Sequence, residues 1–402
     1  MRLFIAYFIT LIASLSAFSA VAAPLQETDS VAPVPEISLI TCSPGKDVYE
    51  LCGHSALRVK IGDEDMAVNY GIFDFNSPNF IYRFVKGETD YMVAAYPFSY
   101  FLEQYHRQGR EVYEQTLNLT PQQAKKLVEL LSVNLLPENR TYRYNYVKDN
   151  CSTRPLTMVE RAIGDTITLT QLPDSVGNTF REIMRRHHAN YPWYQFGIDL
   201  ALGNGIDYKI NNRERAFAPM LLMEMMKDAR IGSQPAVSAA NLIVAAQPGG
   251  GPDAPTPWYL TPTTLFSLLL IVTCAIALRD IKRRKVTRWF DAVIFAVFGI
   301  TGCVMAFLVF ISVHEATSPN YLLLWLNPFC LIVPTCIYIK KCRSLVIFYG
   351  IANFVALFLL AVLWTFVGQS GNIAFLPLIL CDAILTVRYL YITKCVKKTT
   401  HS

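Results

Sequence analysis

The chain has 402 residues, 52% of them hydrophobic, with a mean hydropathy of +0.30 and a formal charge of +5. So large an apolar share excludes an ordinary soluble globule of this length. The charge is split: 22 Lys and Arg stand against 27 Asp and Glu between Pro24 and Pro257, and 14 against 4 in the remainder, a pattern that marks membrane topology and argues against a nucleic-acid partner.

Residues 1–23 read as a secretory signal: Arg2 supplies the charge, Leu3 to Phe18 the apolar core, and Val21-Ala22-Ala23 the cleavage site. Cleaved or kept as an anchor, it sends the adjoining segment out of the cytoplasm. Pro24 to Pro35 is a polar lead-in. Ile37 to Cys42 is an apolar strand, and Ser43-Pro44-Gly45-Lys46-Asp47 a turn. Ala56 to Ile61 alternates as a half-buried strand, Gly62-Asp63-Glu64-Asp65 turns, and Met66 to Tyr70 returns, so a hairpin begins near His54. Phe80 to Pro97 fits strand or helix equally. Glu111 to Leu119 alternates again.

Thr120-Pro121-Gln122-Gln123 opens a helix to about Leu136, with Thr as cap, Pro first and Gln third. Ser152 or Thr153 can cap a helix to Ile163, and further helices are expected at 178–188 and 214–230. Strands thus come first and helices later, an α+β exported domain over 24–247. Pro248 to Pro257 reads as a linker, within a joining segment at 248–258.

The remainder, 259–398, reads as an all-α membrane domain of five transmembrane helices, at about 259–278, 289–312, 321–339, 345–367 and 372–392. Thirteen of the 14 basic residues outside the exported domain fall at 279–288, at 340–343 and at 388–398, whereas 313–320 and 368–371 have none. The basic loops and C-terminus are therefore expected in the cytoplasm, with 24–258 outside, which needs an odd number of spans.

Cys151, between Asn150 and Ser152 at a helix start, is the candidate nucleophile, because a helix N-terminus favours the thiolate. His54, in Gly53-His54-Ser55-Ala56, is the candidate general base. Asn69, Tyr70 and Asp74 are candidates to orient it, with Asn150 and Ser152 in support; the residues do not choose among them. Arg58 and Arg154 can meet a phosphate or carboxylate, or be ordinary ion pairs. His106 reads as a helix-surface residue, and His187-His188 as a solvated basic face. His314 and Glu315 fall in the outer loop 313–320 and can line a lipid path or cap the loop, and Asn327-Pro328 interrupts a span. Cys42 and Cys52 can pair and leave Cys151 the odd thiol, or all three can be free. Neither a metal nor a cofactor is expected, since no metal-ligand spacing occurs in the exported domain.

Several blocks occur in order: Leu39-Ile40-Thr41-Cys42-Ser43-Pro44-Gly45, Gly53-His54-Ser55-Ala56-Leu57-Arg58-Val59, Asn69-Tyr70-Gly71-Ile72-Phe73-Asp74-Phe75, Tyr142-Arg143-Tyr144-Asn145-Tyr146 and Asp149-Asn150-Cys151-Ser152-Thr153. Together they resemble the Lnb family of Bacteroides-type lipoprotein N-acyltransferases, and the likeness extends to Asn327-Pro328 and the multi-span tail. His before Cys, with Asn-Cys at a helix start, is also similar to the permuted papain-like fold of NlpC-type and lecithin:retinol acyltransferase-type enzymes.

The resemblance implies a multi-pass protein of the bacterial inner membrane with a periplasmic catalytic domain. It implies that a phospholipid acyl chain passes to Cys151 as a thioester, then to the amine of a diacylglyceryl-cysteine lipoprotein, with His54 serving both steps. Two other readings stand beside it: a membrane-anchored thiol hydrolase (amidase, peptidase, phospholipase or thioesterase), and a non-catalytic scaffold that binds lipoproteins.

Overall fold

β1 (Glu36–Cys42) is buried from Ile37 to Cys42 because it is an interior strand of a sheet covered on both faces. The computed structural model describes residues 33–74 and 77–399, the last five by backbone alone. The signal expected at 1–23, the lead-in through residue 32, Phe75 and the side chains of Lys397 and Lys398 lie outside the described residues. The chain divides into Met1–Val34 and a compact unit from Pro35 on.

The expected hairpin is β2 (His54–Ile61) and β3 (Glu64–Ile72). The ambiguous stretch 80–97 is both helix and strand: α1 (Phe80–Lys86) stops at Gly87, in the left-handed region at φ 80°, and β4 (Asp90–Pro97) comes next. α2 (Phe98–Arg107) leads to β5 (Val112–Leu117). α3 (Pro121–Leu135) starts with the full capping box of Thr120 and Gln123. β6 (Thr141–Arg143) then leads to α4 (Thr153–Ile163).

α5 (Phe180–His187) and α6 (Pro192–Ala201) are next in the chain. The single helix expected at 214–230 is instead α7 (Asn212–Arg215) and α8 (Pro219–Met226), because Pro219 can start a helix but not continue one. Strands also return late: β7 (Arg230–Ile231) pairs with β8 (Gln234–Pro235), and β9 (Val237–Val244) closes the main sheet beside β5.

That sheet is antiparallel, in the order β6-β4-β3-β2-β1-β5-β9. Ile37, Leu39, Leu57, Val68 and Tyr70 turn toward α3, α4 and α8 in the larger core. Ile40, Cys42, Ala56 and Ala67 turn the other way, onto Phe98, Phe101 and Tyr105 of α2. The Pro- and Gly-rich segment after β9 is pinned to this body: the Gln247 N–H donates to Gly109, and the Asp253 N–H to the Tyr191 hydroxyl.

Four helices are long and apolar enough to cross a membrane: α9 (Pro262–Arg283), α10 (Arg288–Phe310), and, with a short helix between, α12 (Arg343–Val367) and α13 (Phe375–Thr399). The span expected at 321–339 is not one helix. It consists of 3-10 turns at Tyr321–Leu324 and Pro328–Leu331 and of α11 (Ile332–Cys336). Pro328 and Pro334 lack amide protons, and the Asn327 side chain accepts from the Phe329 N–H at 3.1 Å, capping a new turn. Irregular backbone at this depth is tolerated because it packs against α10, where Asn327 lies on Gly302.

The segment still runs from one end of the bundle to the other. Asn320 donates to the Leu200 carbonyl at the sheet domain (2.8 Å), and Arg343 to the Thr393 carbonyl at the opposite end (3.1 Å). The basic segments gather at that far end, where Arg388 is buried between Asp280 and Asp291.

Candidate active site

His54 opens β2 opposite Cys42, the last residue of β1. Gly53 makes that possible. Its φ is +83°, and a Cβ there would stand 2.6 Å from the Cys42 carbonyl oxygen. Ala56 pairs across the strands with Asn69, so His54 and Asn69 share the α2 face of the sheet. His54 Nε2 and Asn69 Oδ1 are 2.6 Å apart, while Asn69 Nδ2 donates to the Tyr96 hydroxyl at 2.9 Å. With its nitrogen occupied, Asn69 presents oxygen to the imidazole. Nε2 therefore carries a proton, which leaves Nδ1 for the hydrogen bond to Cys151. The ring stacks over Tyr105, 6.4 Å between centroids.

Cys151 is held from the helix side. The Asn150 Oδ1 accepts from the N–H groups of Ser152 (2.8 Å) and Thr153 (3.0 Å), satisfying two free amides at the head of α4. Its Nδ2 donates to the Tyr146 and Phe217 carbonyls. Ser152 holds the N-cap position as expected but makes no side-chain cap bond, and the Asn150 side chain does the capping. Ser152 instead donates to the Ala216 carbonyl at 2.6 Å. These bonds fix the thiol at the positive end of α4, and the β3 register shift at Gly71 brings that strand against Cys151.

Burial pushes the Cys151 thiol up. The charge and hydrogen bond of His54, the Ser55 N–H and the Tyr144 hydroxyl outweigh it and hold the thiol below its ordinary value. For His54, burial pushes down, but the Cys151 charge and the hydrogen bonds to Cys151 and Asn69 raise it above the usual range against the opposition of Arg110. Both directions favour a thiolate–imidazolium pair. The other exported thiols go the opposite way. Burial raises Cys52 to about 12 and Cys42 still further.

The pairing considered for Cys42 and Cys52 is not formed; both are free. Each sulfur has a separate phenol for company: the Cys52 Sγ lies 3.3 Å from the Tyr146 hydroxyl, and Cys42 is hydrogen-bonded to Tyr105.

The remaining candidates lie elsewhere. Tyr70 points to the opposite face, where its hydroxyl donates to Asn134 at 2.8 Å. Asp74 is exposed in the loop after β3. Arg58 is engaged by Asp65 (2.6 Å) and Glu114 (2.8 Å) and lies on the Phe98 ring. Arg154 donates to Asp149 at 2.8 Å and lies over Tyr142. His188 is buried against Gln195 (2.8 Å), and burial lowers His187 to about 4, so this pair is not a solvated basic face.

His314 and Glu315 dock the membrane loop onto the sheet domain. His314 meets the Phe84 carbonyl at 2.8 Å, the Val313 N–H donates to the Lys86 carbonyl at 2.9 Å, and Glu315 binds Lys148, three positions before Cys151.

Sequence reasoning passed over Tyr144 and the Ser55 amide, the two further donors to the sulfur. It also passed over Gly203, whose N–H donates to the Ala316 carbonyl at 2.9 Å. A Cβ on Gly203 would stand 2.1 Å from the Pro319 carbonyl oxygen. Only the Gly203-Asn204-Gly205 spelling hinted at so close an approach.

A family model described as the Lnb N-terminal periplasmic domain matches residues 27–186, and one described as the Lnb transmembrane domain matches residues 254–399. No curated protein and no solved structure matches the chain.

Proposed function

The chain belongs to the Lnb family, with a periplasmic and a transmembrane part, and on that premise we propose that it is a membrane-bound acyltransferase of lipoprotein maturation. An acyl chain moves from a phospholipid, through a thioester on Cys151, to the N-terminal amine of a diacylglyceryl-cysteine lipoprotein. The observation that carries this reading is a thiol lowered by His54 and seated three residues from a side chain anchored to a membrane loop.

In the first half-reaction the Cys151 thiolate attacks the ester carbonyl of the donor. His54 delivers the Nδ1 proton to the departing alkoxide, and lysophospholipid leaves. In the second, the lipoprotein amine attacks the thioester, His54 accepts its proton, and the thiolate is released as the amide forms. The Cys151 N–H, at the head of α4, is placed to receive the developing oxyanion. Asn69 keeps the imidazole in one tautomer through both steps. The order of His54 at a strand start and Cys151 at a helix start supports the permuted papain-like reading. We place the domain-bearing end of the bundle in the periplasm and its basic end, with the C-terminus, in the cytoplasm of an inner-membrane protein. The signal at 1–23 and the domain limits 24–247 and 259–398 complete this assignment.

Mass spectrometry of a lipoprotein N-terminus from cells with and without the protein tests the reading. The expected result is a triacylated terminus in its presence and a diacylated one in its absence, with a hydroxylamine-labile acyl mass on Cys151 of the purified protein. An acyl-enzyme that yields only free fatty acid would instead mark a hydrolase. An unchanged lipoprotein together with an unacylated Cys151 would leave a scaffold.

A further inference from the structure

α1 reverses the usual pattern of a surface helix. Ile81 is 78% exposed, Tyr82 and Phe84 are about half exposed, and the helix contains no buried residue. It is nonetheless firmly held. The Ser312 hydroxyl, the Val313 N–H and the His314 ring bind three successive carbonyls at its end, those of Val85, Lys86 and Phe84. This fastens α1 to the domain-side end of α10, a helix long and apolar enough to cross a membrane.

Between α1 and the last turns of α10 lies an open apolar groove of about 890 Å³, walled by Phe80, Ile81, Tyr82 and Val85 on one side and by Cys303, Val304 and Phe307 on the other. A space of this order is enough for part of one acyl chain. The groove is open, and one of its walls belongs to a helix long and apolar enough to cross a membrane, so its ready occupant is an acyl chain.

From this groove a track of rings leads to the thiol. Phe80 stacks on Phe73 at 6.0 Å, Phe73 meets Tyr91 at 5.1 Å, and Tyr91 stacks on Tyr144 at 4.2 Å; the Tyr144 hydroxyl bonds the Cys151 sulfur. The path is comparable to the depth of one leaflet, about half of the roughly 30 Å hydrocarbon core. One end is therefore apolar and open to lipid, and the other is the nucleophile.

We propose that the α1–α10 groove holds the distal part of the donor phospholipid's acyl chain while the aromatic track carries its carbonyl end to Cys151. This rests on the acyl-transfer reading and adds where the donor lies. The donor is favoured over the acceptor's chains because the transferred chain is the one whose first carbon must reach the sulfur.

The test uses the full-length protein in detergent micelles containing phosphatidylethanolamine with either palmitoyl or hexanoyl chains. The Val304→Trp variant fills the groove far from the thiol. The expected outcome is an acyl-Cys151 burst reduced about tenfold or more with the palmitoyl donor and unchanged with the hexanoyl donor. Bursts unchanged with both donors, or equally reduced with both in a variant that keeps its thermal transition, would overturn the proposal. So would a normal palmitoyl burst followed by failed transfer to a diacylglyceryl peptide, which would give the groove to the acceptor. Should V304W lose its thermal transition, Ile81→Trp on the facing wall carries the same test. Absence of any burst in the unaltered protein defeats the acyl-transfer reading itself, whereas a burst that ignores groove filling defeats the groove assignment alone.

Discussion

Asn69 offers oxygen to His54 because the Tyr96 hydroxyl already takes its nitrogen, and this arrangement sets the proton on Nε2. Replacing Asn69 with Ala frees the ring to turn and removes a bond that raises the His54 pKa. The acyl-enzyme burst of N69A is expected to fall by about 10- to 100-fold, with the alkaline limb of its pH profile, where His54 loses its proton, shifted downward and Cys151 still open to alkylation. His54→Ala acts on the thiol directly. In the unaltered protein, iodoacetamide alkylation of Cys151 should rise through a midpoint below the ordinary thiol value of about 8.5. In H54A the midpoint should move up, since burial still opposes the thiolate and its main counter-charge is gone. An unmoved midpoint would show that the two groups are not coupled. Cys151 and His54 were legible because polar neighbours and a helix-start spelling surround them in the chain. Tyr144 and the Ser55 amide were not, because their approach depends on how the turn at Asn145–Asp149 closes. The arginines were legible only as charges: the carboxylates that occupy them, Asp65 and Asp149, lie seven and five residues away, and sequence alone does not tell whether they are reached.

The elements that local chemistry specifies stand where the chain predicts them. The Thr120–Gln123 capping box, the hairpin turning at 62–63 and the helix after Asn150 each draw their signal from adjacent residues. β9 and the broken third span do not, because one is an edge strand that pairs with a partner over a hundred residues back and the other is tolerated only by the helix it packs on. The docking of loop 315–319 onto Gly203 is likewise set by contact. Gly203→Ala would force a Cβ to within 2.1 Å of a carbonyl oxygen, so the loop or the turn must shift. The expected cost is about 1–3 kcal/mol, read as a lower melting temperature and faster proteolysis near residue 317. Gly197→Ala, in α6 with nothing within 4 Å, is the control and should be neutral or slightly stabilising.

Across the whole molecule, buried ionic clusters mark the two ends of the membrane bundle. At the domain end, Asp199 bridges Arg181 and Arg185, Arg185 reaches the Gly371 carbonyl at 2.8 Å, and Asn372 donates to Asp199 at 2.8 Å. At the basic end, Arg388 is enclosed by Asp280 and Asp291, and Asp280 also accepts from Thr287. Arg388→Met would leave Asp291 buried with no counter-charge and Asp280 with only the half-exposed Arg279 at 3.6 Å, a loss of about 3–5 kcal/mol. The expected readout is a sharp drop in folded protein recovered from membranes, whereas the exposed Lys282→Met should have no such effect. The helix α1, pinned through three carbonyls to the end of α10, has a kinetic consequence as well. On the proposed acyl-transfer reading, it would hold the catalytic face at the lipid surface, so that substrates arrive by lateral diffusion within two dimensions. Turnover should then follow the mole fraction of donor in the surface, and diluting that donor with an inert detergent at constant bulk molarity should slow the enzyme.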